Sequence, residues 1–339
     1  MRIALDIMGG DKAPSAIVDG LKIFLENDKD TNLLLTGPEE IILKELDLAQ
    51  VTDRSRIEIR HAPDIVTMED SPRTAYRSKK KSSIRVAVDA VKNKEADAFV
   101  TMGNTGASVF TSQLVLGALP GVKRPGLAIP FPTFTHDKPC VMIDMGASVE
   151  PKAEHLLGYG IMAYHYSKSV FGVENPRVGL MNVGEEAAKG HEVVKEAHSL
   201  LSDCGINFCG NAEGDDIFKG TFDVIVCDGF TGNVLLKSCE QLAKSILSIV
   251  KEDITSSLLN QIATWVLSPV FKSMKKKTDP SEFGGALLLG VNGICVIGHG
   301  KADGTAVFNA LNVAKNNYTG KLNEHIVKEL TSINSSSVG

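Results

Sequence analysis

Six turns in this chain combine glycine with asparagine, aspartate, threonine or glutamate directly after a short apolar run. Such turns present backbone N–H groups, amides and hydroxyls, and where a helix follows they can hold anions, phosphate especially. Any one of them is also an ordinary helix cap, but six in one chain could together line one cleft. The turns occupy residues 8–11, 102–106, 144–147, 182–186, 211–214 and 228–233.

Several other chemistries are disfavoured by the motifs that the sequence lacks. It contains no GxxxxGK[ST] loop for nucleotide phosphates, no HExxH zinc motif and no GxSxG nucleophile turn. A GxGxxA string at residues 158–163 lies inside a helical pattern and does not follow a strand, which argues against dinucleotide binding. The eight histidines show no metal-ligand spacing. We therefore expect neither a metal nor a nucleotide cofactor.

The turns must be positioned by alternating strands and helices. Short, continuous apolar runs predict strands that are buried on both faces, and amphipathic stretches between them predict helices. This alternation predicts an α/β fold with a largely parallel sheet and helices on both faces, in which ligands bind beyond the carboxyl ends of the strands. Strands are expected at residues 3–7, 33–36, 57–60, 98–102, 127–130, 140–145, 178–183, 206–209, 224–227 and 293–297.

Length and composition fit a large enzyme. The chain has 339 residues, 43% of them hydrophobic, and 36 basic against 41 acidic side chains give a net charge of −5. This balance disfavours nucleic-acid binding. The six cysteines form no CxxC pair, and neither a signal peptide nor a membrane-spanning run is seen, which predicts a cytoplasmic protein. We expect residues 1–334 to form one catalytic domain, with a helical excursion at about 250–280 and a flexible tail at 335–339.

Seven long strings together resemble the bacterial phosphate acyltransferases of phospholipid synthesis, the PlsX family. They are ALDIMGGDKAP, TMGNTGA, DMGAS, MNVGEEAAKG, GNAEGDDIFKG, VCDGFTGNVLLK and GGALLLGVNGICVIGHG, in this order over nearly the whole chain. The resemblance implies a fold like that of isocitrate and isopropylmalate dehydrogenases and phosphotransacetylase. It also implies a homodimer that makes acyl phosphate from an acyl carrier protein thioester and inorganic phosphate.

This reaction needs a phosphate clamp, a stabiliser for the attacked carbonyl and a dry slot for the acyl chain. We expect Lys189 to supply positive charge, Asn233 to donate to phosphate or carbonyl, and His191 to shuttle protons. Phosphate binding is expected from Gly9, Gly10, Asn104, Thr105, Gly106, Gly146, Gly184, Thr231 and Gly232. The acids are expected to orient these groups from behind; they are Asp6, Asp11, Asp144, Glu185, Glu186 and Asp228.

Two further stretches point to partners. A basic run predicts a docking patch for acidic acyl carrier protein, or alternatively a solvated face; it contains Arg73, Arg77, Lys79, Lys80, Lys81 and Arg85. A second run combines an apolar helical face with the only tryptophan and a basic end, which suits an anionic membrane surface or, alternatively, a core or dimer helix. Its expected contacts are Leu258, Ile262, Trp265, Lys275, Lys276 and Lys277. A downstream membrane acyltransferase is a further expected partner.

Three alternative functions stay open from the sequence. One is a coenzyme A-dependent phosphate acetyl- or butyryltransferase, and another is a decarboxylating dehydrogenase of the same fold. The third is a non-catalytic scaffold that organises lipid-synthesis enzymes at the membrane surface.

Overall fold

The computed structural model describes residues 1–134, 138–255, 268–270 and 284–336, and a sheet of eleven strands runs through this part of the chain. The strands are β1 (Arg2–Asp6), β2 (Asn32–Gly37), β3 (Ile57–His61), β4 (Ala98–Thr101), β5 (Gly126–Phe131), β6 (Cys140–Ile143), β7 (Val178–Met181), β8 (Phe208–Ala212), β9 (Val224–Val226), β10 (Ala286–Leu289) and β11 (Ile294–Ile297).

The helices lie between these strands, and several begin at a side-chain cap. Ser71, Ser82, Asn104 and Asp303 each accept a hydrogen bond from the backbone N–H three residues later. In the described residues the helices are α1 (Ser15–Asn27), α2 (Glu39–Leu48), α3 (Pro72–Ser78), α4 (Ser83–Lys92), α5 (Thr105–Leu116), α6 (Ala153–Phe171), α7 (Glu192–Asp203), α8 (Asp216–Lys219), α9 (Gly229–Thr255), α10 (Gly304–Thr319) and α11 (Leu322–Ser336).

Strand direction reverses in the middle of the sheet. The order is β3-β2-β1-β4-β11-β10-β5-β6-β9-β7-β8, and the pairings β11–β10, β10–β5 and β5–β6 are antiparallel whereas the other seven are parallel. Strands β1, β2, β3, β4 and β11 therefore run one way, and β6, β7, β8 and β9 run the opposite way. Their carboxyl ends lie at opposite edges of one sheet.

Both faces of the sheet are covered by apolar side chains from helices. On one face Leu5, Val100 and Val296 pack with residues of α1, α6, α7, α10 and α11. On the other face Phe99 and Leu288 pack with α4 and α5, while Met142 and Ile225 pack with α8 and α9. Adjacent residues of a strand point to opposite faces, so continuous apolar runs such as Ile3–Ile7 fill both layers.

The predicted α/β class, with a mostly parallel sheet and helices on both faces, is confirmed. The sequence patterns missed β10, α3, α8 and α11. Helix α11 continues to Ser336, so residues 335 and 336 of the expected tail are helical. That residues 1–334 form one domain stays a prediction. Most of the expected helical excursion after Thr255 lies outside the described residues.

Candidate functional site

The strand reversal divides the six predicted turns into two groups. Residues 8–11 and 102–106 follow β1 and β4 at one edge, here called the first edge. Residues 144–147, 182–186, 211–214 and 228–233 follow β6, β7, β8 and β9 at the opposite edge, called the second edge. The six turns therefore follow strand ends at two opposite edges, and that they line one cleft stays a prediction.

The first edge is organised by the buried carboxylate of Asp6. Its Oδ2 accepts from Thr101 Oγ1 at 2.7 Å and its Oδ1 accepts from the Met8 amide at 3.0 Å, while Thr101 Oγ1 accepts from the Gly103 amide at 2.9 Å. Burial raises the pKa of Asp6, and these hydrogen bonds oppose the rise. A Cβ on Gly9 would lie 2.6 Å from the Gly103 nitrogen, so the turns after β1 and β4 pack together without space for a side chain.

The side chain of Asn104 has no hydrogen-bonding group left for phosphate. Its Oδ1 accepts from the Ala107 amide at 3.0 Å, and its Nδ2 lies 2.9–3.2 Å from the carbonyl oxygens of Thr67, Met68 and Asp70. The Asn104 side chain therefore caps α5 and fixes the loop after β3, and a contact of its backbone N–H with phosphate stays a prediction. The next two residues, at 105 and 106, are exposed at the start of α5.

The remaining first-edge residues are held through the turn after β11. The Asp11 amide donates to the Gly300 carbonyl at 2.7 Å, and a Cβ on Gly10 would lie 3.0 Å from that same oxygen. His299, in this turn, was missed by the sequence analysis. Its Nδ1 accepts from the Lys301 amide at 3.0 Å, and its Nε2 lies 3.7 Å from Glu240 Oε2 on α9.

Helix α9 therefore links the two edges. It begins at Gly229 beside the second edge, and eleven residues later Glu240 contacts the turn after β11 at the first edge. The imidazole of His299 and the ammonium of Lys237, 3.3 Å away, lower the pKa of Glu240 to about 2 against the effect of burial. The contact between Glu240 and His299 therefore fixes the middle of α9 at the first edge, while the first turn of α9 lies at the second edge.

The second edge is organised by Asp144, which is fully buried. Its Oδ1 accepts from the amides of Leu127, Gly146 and Ala147 at 2.9–3.2 Å, and its Oδ2 accepts from the Ser148 amide at 2.7 Å. Burial raises the pKa of Asp144, and the four N–H donors oppose that rise. The carboxylate faces inward and shapes the whole turn after β6.

The start of α9 packs directly on this turn. Asp228 accepts from the amide and the hydroxyl of Thr231 at 2.8 and 2.6 Å, which caps the helix. A Cβ on Gly232 would lie 2.1 Å from the Asp144 carbonyl oxygen, and one on Gly146 would lie 3.5 Å from the Asn233 Cβ. The exposed Asn233 side chain therefore lies beside Gly146, where the turns after β6 and β9 contact each other.

Lys189 lies in the turn after β7, the strand that pairs with β9. Asn182 Nδ2 donates to the Lys189 carbonyl at 3.1 Å, and Asn211 Nδ2 donates to the Glu186 carbonyl at 2.9 Å. A Cβ on Gly184 would lie 3.4 Å from the Lys189 Cγ. Asn182 and Asn211, which the site prediction had not included, thus hold the loop that presents Lys189. Glu185, Glu186 and His191 are exposed in the same segment.

The structure places the predicted carrier-docking patch beside the first edge. The ring of Pro72, at the start of α3, lies 2.8 Å from the position of a Cβ on Gly106. Lys79 is bound by Asp70 and by the Ile65 carbonyl, and Arg85 pairs with Asp89, so these two charges are already matched. The exposed basic residues of the patch are Arg73, Arg77, Lys80 and Lys81.

The predicted membrane contacts, at residues 258, 262, 265 and 275–277, lie outside the described residues. In the described parts of the chain, no helix is long and apolar enough to cross a membrane. The same residues contain no group of three or more His, Cys, Asp or Glu side chains placed to hold a metal ion.

Solved structures of other proteins share this architecture. A phosphotransacetylase from Streptococcus pyogenes aligns with a TM-score of 0.64 over 94% of both chains at 13% identity. A branched-chain phosphotransacylase from Enterococcus faecalis aligns with a TM-score of 0.57 over 94% of this chain and 99% of its own. At this identity the likeness concerns the fold alone, and it confirms the phosphotransacetylase-like fold that the sequence predicted.

Sequence relatives cover most of the chain. A family profile described as "Fatty acid synthesis protein" matches residues 1–324. The phosphate acyltransferase of a Nostoc species is 44% identical over 316 residues, 93% of this chain and 92% of its own. That of Halothermothrix orenii is 42% identical over 335 residues, 97% of this chain and 99% of its own. The chain belongs to this family of phosphate acyltransferases, and it is an acyltransferase enzyme of lipid biosynthesis.

Proposed function

We propose that the chain transfers a long-chain acyl group from acyl carrier protein to inorganic phosphate at the second edge, as a step in phospholipid synthesis. The observation that supports this most is the contact between two turns on the adjacent strands β6 and β9, with a third turn on the next strand, β7. The N-terminus of α9, the Asn233 amide against Gly146 and the loop with Lys189 belong to β9, β6 and β7. Together they supply a helix dipole, a neutral donor and a positive charge.

In the proposed reaction a phosphate oxygen attacks the thioester carbonyl carbon, forming a C–O bond and a tetrahedral oxyanion. Collapse of the oxyanion breaks the C–S bond and releases the carrier thiolate, which gains a proton from water or from His191. Phosphate is partly dianionic near pH 7, and a thiolate leaves with a conjugate-acid pKa of about 8.5. The reaction therefore needs positioning and charge stabilisation more than a strong base.

Specific residues take these roles in the proposal. Lys189 neutralises phosphate or the oxyanion, and Asn233 with the first turn of α9 donates hydrogen bonds to them. Asp144 is buried and Asp228 is half-buried, and backbone amides and Thr231 occupy their oxygens. This arrangement lets two acids shape an anion site with their oxygens engaged by internal donors. Docking of the acidic carrier is assigned to the exposed basic residues around α3.

The experiment measures acyl phosphate, trapped with hydroxylamine, from phosphate and three donors: hexadecanoyl-acyl carrier protein, hexadecanoyl-coenzyme A and acetyl-coenzyme A. We expect product from the carrier-protein donor and little from either coenzyme A donor. Turnover of acetyl-coenzyme A instead would identify a phosphotransacetylase. A folded sample that forms no acyl phosphate from any donor would contradict the proposal and favour the dehydrogenase or scaffold alternatives.

A further inference from the structure

Large apolar side chains are exposed around the second-edge site. Phe230 is 62% exposed, Val149 is 61% exposed and Val234 is 49% exposed. Single apolar residues on a surface are ordinary, but three at one site call for a ligand or a partner. None of the three is used by the phosphate site described above.

The backbone brings these three side chains to the same place. The Gly229 amide donates to the Ser148 carbonyl at 2.9 Å, so Phe230 and Val149 directly follow two backbone positions that are in contact. Phe230 and Val234 are four residues apart on α9 and therefore share one face of the helix. Val234 also follows Asn233 directly. The apolar surface is thus continuous with the site where the carbonyl would be held.

We propose that Val149, Phe230 and Val234 contact the first carbons of the acyl chain, next to its reacting carbonyl, and so favour longer acyl groups over the acetyl group. This inference rests on the proposed function. A carbonyl held at Asn233 leaves its chain within a few carbon–carbon bonds of these residues, and an acyl chain is the apolar group that a phosphate acyltransferase must bind. Removal of that chain from water supplies binding energy in proportion to the apolar area covered.

The test compares kcat/KM for a longer-chain donor, octanoyl-acyl carrier protein, with that for a short-chain donor, acetyl-acyl carrier protein, in the same enzyme sample, so that any unfolded fraction cancels from the ratio. The variants are Val149→Ser, Phe230→Ser and Val234→Ser. Leu48→Ser is the matched control, because Leu48 is 67% exposed on α2. We expect the ratio of long-chain to short-chain activity to fall about tenfold in the three variants, the discrimination typical of a methylene in an apolar pocket. The control should keep the wild-type ratio.

An unchanged ratio in all three variants would overturn the inference. If those variants instead change the oligomeric state or the binding to anionic phosphatidylglycerol vesicles at constant ratio, the surface contacts protein or lipid, and the inference also fails. Failure of the underlying function looks different, because the wild-type enzyme would then form no acyl phosphate from either carrier-protein donor.

Discussion

Replacement of Gly232 by alanine tests how closely α9 must approach the turn after β6. The added Cβ would lie 2.1 Å from the Asp144 carbonyl oxygen and 3.0 Å from the sulfur atoms of Cys227 and Met145. An ordinary carbon–oxygen contact is about 3.3 Å, so the first turn of α9 must move by about 1.2 Å. Because the nearest atom belongs to the backbone, a rotamer change cannot relieve the contact.

Two magnitudes follow from that displacement. Overpacking of this kind costs about 1–3 kcal/mol of unfolding free energy, and the backbone contact places Gly232→Ala near the upper end. A misplacement of about 1 Å at a reacting centre costs about 10²-fold in rate, and Asn233 is the next residue. We therefore expect a loss of about 3 kcal/mol in stability together with a loss of about a hundredfold in turnover.

The chain offers a control with the same chemical change. Gly158 lies inside α6, and a Cβ there would have no neighbour within 4 Å. Gly158→Ala should therefore gain about 1 kcal/mol from helix propensity and keep full turnover. Urea denaturation gives both free energies, and hydroxylamine trapping gives both rates. If the two variants prove equally stable and equally active, the close approach of α9 and its role at the site are refuted.

Three further perturbations have defined outcomes. Burial disfavours the charged form of Asp28, but hydrogen bonds from Lys315 and the Thr31 amide outweigh burial and lower the pKa of Asp28 from 3.8 to about 2. This shift stabilises the folded protein by about 2.4 kcal/mol when Asp28 is ionised. Because the folded pKa is the lower one, this stability is present above about pH 4 and lost towards pH 2, and urea titrations should show Asp28→Asn without that pH dependence. Asn104→Ala should lose about 1–3 kcal/mol in the same assay, since it removes a cap and leaves three carbonyls without their donor; a neutral effect would contradict the positioning role. Lys81→Glu should raise the KM for the carrier-protein donor several-fold at low salt and much less at 0.5 M salt. Lys168→Glu, the same charge reversal on α6, should leave this KM unchanged. Equal effects of the two variants would argue against docking around α3.

The sequence indicates one of the antiparallel pairs that reverse the strand direction. The predicted strands at residues 127–130 and 140–145 are separated by nine residues, and parallel neighbours need a crossover of a dozen or more. That spacing favours an antiparallel pair, which is what β5 and β6 form. Strand β10, Ala286–Leu289 between glycines, was missed although its apolar run is as long as several four-residue runs that were predicted as strands. Short runs of this kind are not decided by periodicity.

The local sequence does not show which of the predicted site residues fix a loop and which remain free to bind phosphate. Asn104 sits in a turn with the composition of an anion site, yet its amide is engaged by carbonyls 34 to 37 residues earlier in the chain. Asn182 and Asn211 are held in the same way by tertiary contacts with the Lys189 loop. Sequence gives the residue types at each strand end, whereas the order and direction of the strands decide which ends meet.

The most direct test of the account compares one residue from each edge of the sheet. Acyl phosphate formed from hexadecanoyl-acyl carrier protein and phosphate would be measured for the wild-type enzyme, Asn233→Ala and Thr105→Ala. Transfer at the second edge predicts that Asn233→Ala loses about 10²-fold in turnover, the cost of removing an oxyanion donor, while Thr105→Ala, at the first edge, loses far less. Wild-type turnover in Asn233→Ala together with a large loss in Thr105→Ala would contradict it and place the transfer at the first edge.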